Sequence, residues 1–280
     1  MSKSIAKIKF YEKGLKMYFL KRMSQPKYYI GLWVGLIIAI LHFGVKFFTI
    51  KQYLNGNQML FTPYTQWIGY HTDSWTILFY LVIPIISCLG FNQAIYDDLK
   101  TGFITHLVKK LGFEKYIFIN YFYVFLNGFF TVFLPLIINF LLFFCTLPNI
   151  IPDRILNSDN FISPSVTYFL DIYYKNPVSV ILFYCFLAGI IGGICAITSV
   201  TLMGFIRNYF TDFAGPFLLT VIMDVIAAAF PFNFAAPTLF IIPMSPVVVP
   251  SFGFVVIGII LLMLVELILV YVGIKRNVFI

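Results

Sequence analysis

Between Phe252 and Ile274 this chain has a single acidic or basic residue, Glu266, among aliphatic, aromatic, methionine and glycine residues. In hydrocarbon such a run must pair every backbone N–H and C=O within itself, so about twenty apolar residues in a row form a membrane-crossing helix. Six runs of this kind are present, at 29–50, 76–95, 116–147, 177–205, 214–230 and 252–274. Charged residues make up 11% of the chain and hydrophobic ones 61%. A soluble domain carries about a quarter charged residues, so that class is excluded. The expected fold is all-α: one transmembrane domain, 1–280, with six spans.

Two segments depart from this pattern. Residues 231–250 are apolar but contain Pro231, Pro237, Pro243, Pro246 and Pro250. Each proline removes a backbone donor and clashes with the preceding turn, so no continuous helix forms there. A re-entrant helical hairpin between the fifth and sixth spans is expected instead. Residues 1–28 place Ile8, Tyr11, Leu15, Tyr18 and Phe19 on one helical face and Lys9, Glu12, Lys13 and Lys16 on another. That spacing predicts an amphipathic helix lying in the plane of the membrane.

Cationic residues set the orientation. The N-terminal arm carries eight Lys and Arg residues, the connection after the second span four, and Arg207, Lys275 and Arg276 lie on the same side. The opposite side has Lys51, Arg154 and Lys175. Both termini are therefore expected in the cytosol, and the net charge of +8 is accounted for by topology and anionic inner-leaflet lipid, with no nucleic acid required. The loop 51–75, rich in Tyr and Trp, reads as an aromatic belt at headgroup level. The second outer loop, 148–176, holds most of the charge on that side.

Small residues repeat at helix-contact spacing: Gly31 with Gly35 in the first span, Gly189 with Gly193 in the fourth. Such pairs let backbones approach closely, within one chain or across a dimer. Cys88, Cys145, Cys185 and Cys195 all fall in spans without metal-site spacing and read as packing or lipid-facing residues.

Catalytic motifs are missing from the sequence. His42, His71 and His106 fall in a span, an outer loop and an inner connection, no metal site is expected, and there is no Gly-x-x-x-x-Gly-Lys-Ser/Thr phosphate loop. Ionisable residues inside spans point to function or to buried polar contacts. Asp224, near the middle of the fifth span, and Glu266 are the candidates, each read either as part of a translocation or proton path or as a hydrogen-bonded structural acid. Lys46, near the end of the first span, is expected to snorkel outward.

The connection between the second and third spans is the only sizeable charged one on the inner side. It reads Asp97-Asp98-Leu99-Lys100-Thr101-Gly102-Phe103-Ile104-Thr105-His106-Leu107-Val108-Lys109-Lys110. The acidic Asp98 four before Gly102, the amphipathic Ile104, Leu107 and Val108, and the basic Lys109, Lys110 and Lys115 resemble the corresponding connection in permease subunits of type-two ABC exporters. The ending Tyr271 to Arg276 is also similar. Leu111 and Phe113 stand where that family often has a proline and a serine or threonine.

The resemblance implies a permease subunit in a bacterial cytoplasmic membrane. It implies a second permease copy or paralogue as partner, and cytosolic ATPase subunits that bind ATP and magnesium, so that this chain needs no cofactor of its own and is not itself an enzyme. Residues 97–110 become a coupling helix, with Asp97, Asp98, Lys100, Gly102, His106, Lys109 and Lys110 as docking candidates. The implied cargo is an amphipathic peptide, as in phenol-soluble modulin or bacteriocin export, with a lipid or polysaccharide carrier as the alternative. A proton- or sodium-coupled secondary carrier is the competing class.

Overall fold

A computed structural model describes residues 24–54, 61–70, 73–154, 163–206, 208–229 and 236–279. Among them the regular structure is entirely helical, and six helices are long and apolar enough to cross a membrane. We label the helices α1 (Ile30–Ile50), α2 (Pro63–Gln66), α3 (Ser74–Cys88), α4 (Asn92–Thr101), α5 (Phe103–Leu111), α6 (Phe113–Thr146), α7 (Leu170–Tyr173), α8 (Pro177–Phe205), α9 (Tyr209–Ala229), α10 (Pro237–Phe240) and α11 (Phe252–Phe279). The in-plane helix expected over 1–28 lies outside the described residues, apart from a 3-10 turn at Pro26–Tyr29.

Helix ends follow local chemistry. Asp73 caps α3 by accepting a hydrogen bond from the Thr76 N–H at 2.8 Å. Asn176 caps α8 with Pro177 as its first residue, where a missing donor costs nothing. The second span is not the single helix expected over 76–95: α3 stops at Cys88, the chain bends through Leu89 and Gly90, and α4 restarts at Asn92. The bend is filled by α1, whose Gly31 N–H donates to the Leu89 carbonyl at 2.9 Å. A Cβ on Gly31 would lie 1.9 Å from the Ile86 carbonyl oxygen, so only glycine permits this approach. The fifth helix begins at Tyr209, earlier than the expected 214.

The bundle centres on α8, whose apolar stretch is buried on nearly all sides, while α1, α9 and α11 are peripheral and present wide apolar faces outward. Its glycines meet α6 within the same chain. A Cβ on Gly192 would fall 2.6 Å from Val132, one on Gly193 2.6 Å from the Phe125 ring, and one on Gly189 2.8 Å from the Phe129 ring. Gly35 likewise abuts Pro135 of α6. All four glycines marked in the sequence are thus intrachain helix contacts.

The far end of the bundle, opposite α4 and α5, is closed by three connections. Residues 62–70 are buried throughout and turn into the bundle, which corrects the aromatic-belt reading for Tyr64, Trp67 and Tyr70, while Tyr53 is exposed. Trp67 Nε1 donates to the Leu136 carbonyl at 3.1 Å, and the Ile68 N–H to Asn139 Oδ1 at 3.2 Å. The expected helical hairpin at 231–250 is, in its described part, one helical turn (α10) followed by an irregular run that is buried at Ile241, Ile242, Pro243 and Ser245. Prolines prevent more helix there. That run is stitched to its neighbours instead: Met244 N–H to the Gly69 carbonyl at 3.0 Å, Thr167 Oγ1 to the Pro243 carbonyl at 2.8 Å, and Tyr168 hydroxyl to the Pro250 carbonyl at 2.9 Å.

Candidate functional site

The charged connection folds as an elbow of two helices. Gly102, at φ +71°, ends α4 and starts α5, a left-handed conformation that glycine adopts without strain. Thr101 and Thr105 close the joint by donating their hydroxyls to the carbonyls of Asp97 at 2.7 Å and Gly102 at 2.8 Å. Residues 97–110 are thus a helix end, a joint and a second helix, where a single coupling helix was expected.

Apolar spacing fixes how α5 lies. Ile104, Leu107 and Val108, at helical i, i+3, i+4 positions, are buried against Ile95, Tyr116, Ile117 and the end of α11. His106, Lys109 and Lys110 face outward and are exposed, as are Lys100 and Gly102. Asp98 is 3% exposed, so it belongs to the interior of the elbow and not to its outer surface. Asp97 is exposed and pairs with Lys27 at 3.5 Å, tying the N-terminal turn to α4. The elbow is anchored below by Asn92, whose Nδ2 donates to the Ala196 carbonyl of α8 at 2.8 Å. A cavity of about 220 Å³ bordered by Tyr96, Leu99, Lys100 and Met203 lies beside it.

Inside the bundle three carboxylates take hydroxyl partners. Glu266 of α11 accepts from Thr198 at 2.9 Å and from Thr201, both on α8. Asp212 of α9 accepts from Ser199 on the same turn of α8. Asp224 accepts from Thr238 of α10 through Oδ2, while its Oδ1 is buried without a partner. Asp224 stands ~7.5 Å before the end of α9 at Ala229. It lies on the side of α9 nearer α10, whose Thr238 it meets.

A fourth polar cluster joins residues that are remote in the sequence. Lys46 Nζ lies 3.0 Å from Oδ2 of Asp73, the N-cap residue of α3. Buried His42 places Nε2 3.6 Å from the same oxygen and Nδ1 3.1 Å from Asn139 Nδ2. Asn139 also donates to the Ala39 carbonyl at 2.8 Å, so one amide joins α1, α6 and the inward-turned loop. Burial works against the Asp73 charge, but the contacts from His42, Thr76 and Lys46 outweigh it and hold the carboxyl well below the ordinary carboxylate range. Sequence reasoning missed this cluster. An available signal was an Asp immediately preceding an apolar run, an N-cap position, with a lysine one helix end away. For Asp212 the signal was the Ser and Thr residues on α8.

His42 and His106 do not converge, and among the described residues no three His, Cys, Asp or Glu side chains gather as a metal site. Cys88, Cys185 and Cys195 are buried thiols and Cys145 is an exposed one. The docking candidates of the elbow come together on one end, Glu266 and Asp212 converge on one turn of α8, and Asp224 stands apart beside α10. Comparison with protein-family models, with characterised proteins and with solved structures finds no match to this chain.

Proposed function

We propose that this chain is the transmembrane subunit of an ATP-driven exporter for an amphipathic cargo drawn from the membrane, with ATP hydrolysed by a partner subunit that docks on the α4–α5 elbow. The observation that carries this reading is the elbow itself. A short helix is seated on the bundle by Ile104, Leu107 and Val108 and turns His106, Lys109 and Lys110 outward, next to a glycine joint at which nothing lies within 4 Å of an added Cβ. Such an element transmits a push from outside to α4, α6 and α8, because it packs on one rigid face and swings about one residue.

The cationic outer face suits an acidic cleft on the partner, since opposed charge speeds and orients encounter. In this reading the cytosolic side is the elbow end, a second permease copy or paralogue completes the translocation path, and the closed end seals it on the outside. Hydroxyl donors from α8 engage the carboxylates of Glu266 and Asp212. Those bonds fasten α9 and α11 to the central helix.

The test is copurification from native membranes with assay of ATP hydrolysis. Wild-type chain is expected to bring down an ATP-hydrolysing subunit, and Lys109→Glu with Lys110→Glu to lose it by more than tenfold while the chain stays folded. Transport by the purified chain without ATP would overturn the proposal.

A further inference from the structure

We propose that His42 is a proton-operated latch: as a neutral ring it holds residues 62–70 in the bundle through Asn139, and a proton added at Nδ1 releases them. Asn139 decides which ring nitrogen is bare. Its Oδ1 accepts from the Ile68 N–H at 3.2 Å and its Nδ2 donates to the Ala39 carbonyl at 2.8 Å. Turning the amide over would set N–H against N–H at Ile68 and oxygen against oxygen at Ala39, so two backbone groups fix its orientation. Nδ2 carries a second hydrogen, and His42 Nδ1 lies 3.1 Å away. That nitrogen is therefore the acceptor, and the ring's one proton sits on Nε2, which faces Asp73 Oδ2 at 3.6 Å.

A ring protonated on both nitrogens cannot keep this arrangement. Its Nδ1–H and the amide N–H would point at each other, and the amide cannot turn without losing Ile68 and Ala39. The ring is 1% exposed and sits edge-on against Phe143 at 5.7 Å, so it is the amide that yields. Ile68 then loses its acceptor, and a buried N–H without a partner draws its segment toward water. The second proton thus binds the released state, and acid shifts the population toward it.

The charged groups at the ring, among the described residues, are Asp73 before α3 and Lys46 on the same helix as His42. From α6 the ring meets Asn139 and Phe143, neither of them ionisable, and the Tyr64 hydroxyl of the loop goes to Asn149. Asp73 and Lys46 are each partly exposed, which gives the proton a way in from the surface. Asp73 stays ionised well below the range in which imidazoles gain charge. It attracts the added proton and Lys46 repels it. The side from which acid acts rests on the exporter reading, in which this end faces outward; the latch itself does not, and its test needs no partner subunit.

The test is NMR of the full chain in detergent, with ¹⁵N in the histidine rings and 5-fluorotryptophan as a probe of Trp67. The His42 signals are assigned by their loss in His42→Asn, and Trp67 by elimination with Trp33→Phe and Trp75→Phe. At pH 8 His42 should show a bare Nδ1 and a protonated Nε2; a proton on Nδ1 and a bare Nε2 would overturn the inference without any variant. From pH 8 to 5, the interval in which imidazoles gain charge, the solvent exposure of Trp67 should rise roughly threefold in step with the arrival of the Nδ1 proton. A doubly protonated ring with Trp67 still shielded, or Trp67 exposed before the ring gains its proton, contradicts the latch. His42→Asn places an amide oxygen where Nδ1 stood and should keep Trp67 shielded over the whole interval. Asp73→Asn should move the transition to lower pH and Lys46→Met to higher pH, opposite shifts that loss of packing alone does not produce; shifts in the same direction overturn the assignment. The wild-type chain alone decides the tautomer and the coupling where a variant fails to fold.

Discussion

At the closed end, Asn139, Trp67, Thr167 and Tyr168 each reach a backbone atom of another segment, so three connections between helices are knotted to one another and to α6. At the elbow end, α5 rests on the bundle through Ile104, Leu107 and Val108 and leaves its other face in solvent. Side-chain bonds to backbone are directional and fix a position. Apolar packing along one helix face is not directional and permits sliding or tilting about a joint. The difference teaches that α5 is seated on the bundle by apolar packing, whereas the connections at the closed end are tied to it by hydrogen bonds.

Breaking the knot should have a large effect. Asn139→Leu leaves the buried Ile68 N–H without its partner and removes the second bond to the Ala39 carbonyl, and should destabilise the protein by about 2 kcal/mol, at about 1 to 3 per orphaned group. Thermal unfolding in detergent measures this, and proteolysis should then cut within 61–70 first.

A matched pair of glycines sharpens the comparison. Gly69 and Gly102 both have positive φ, +105° and +71°. At Gly69 a Cβ would also strike Pro243 at 2.6 Å, whereas at Gly102 it meets nothing. Gly69→Ala should therefore cost about 2 to 3 kcal/mol, backbone strain plus overpacking, and Gly102→Ala about 1 kcal/mol from the backbone alone. Equal Tm losses for the two would contradict the contrast between the ends. Gly102→Ala should still slow coupled ATP hydrolysis, since the joint stiffens.

Acid acts on one end through Asp73. Its folded-state pKa is depressed, so its contribution is present above the unfolded value near 4 and is lost as pH falls below that value. Lowering pH from 7 toward 3 should reduce Tm by about 2 °C more in wild type than in Asp73→Asn. The smallest effect on stability is expected for Lys109→Ala with Lys110→Ala, within about 0.5 kcal/mol, because both side chains are exposed.

The six spans are legible in the sequence because they depend on a local signal, apolar run length. The fate of loop 51–75 is not. Tyr64, Trp67 and Tyr70 have the same composition whether they sit among headgroups or inside the bundle, and what decides is Asn139, some seventy residues away, offering an acceptor to Ile68. Lys46 escapes for the same reason, since its partner Asp73 belongs to another helix. Charge and spacing mark Asp98 as a docking residue, yet its side of α4 faces inward. Spacing along a helix fixes which residues share a face and leaves open which face meets the bundle. The break at Leu89 and Gly90 is hidden because apolar residues continue through it.

The central claim, that the elbow receives motion from an ATP-hydrolysing partner, is tested most directly by reconstituting the chain with its copurified partner and measuring ATP hydrolysis as the elbow is altered. Wild type should stimulate hydrolysis, Lys109→Glu with Lys110→Glu should abolish stimulation, and Asn139→Gln at the closed end should leave partner binding intact. If elbow charge reversal leaves both binding and stimulated hydrolysis unchanged, the account is contradicted.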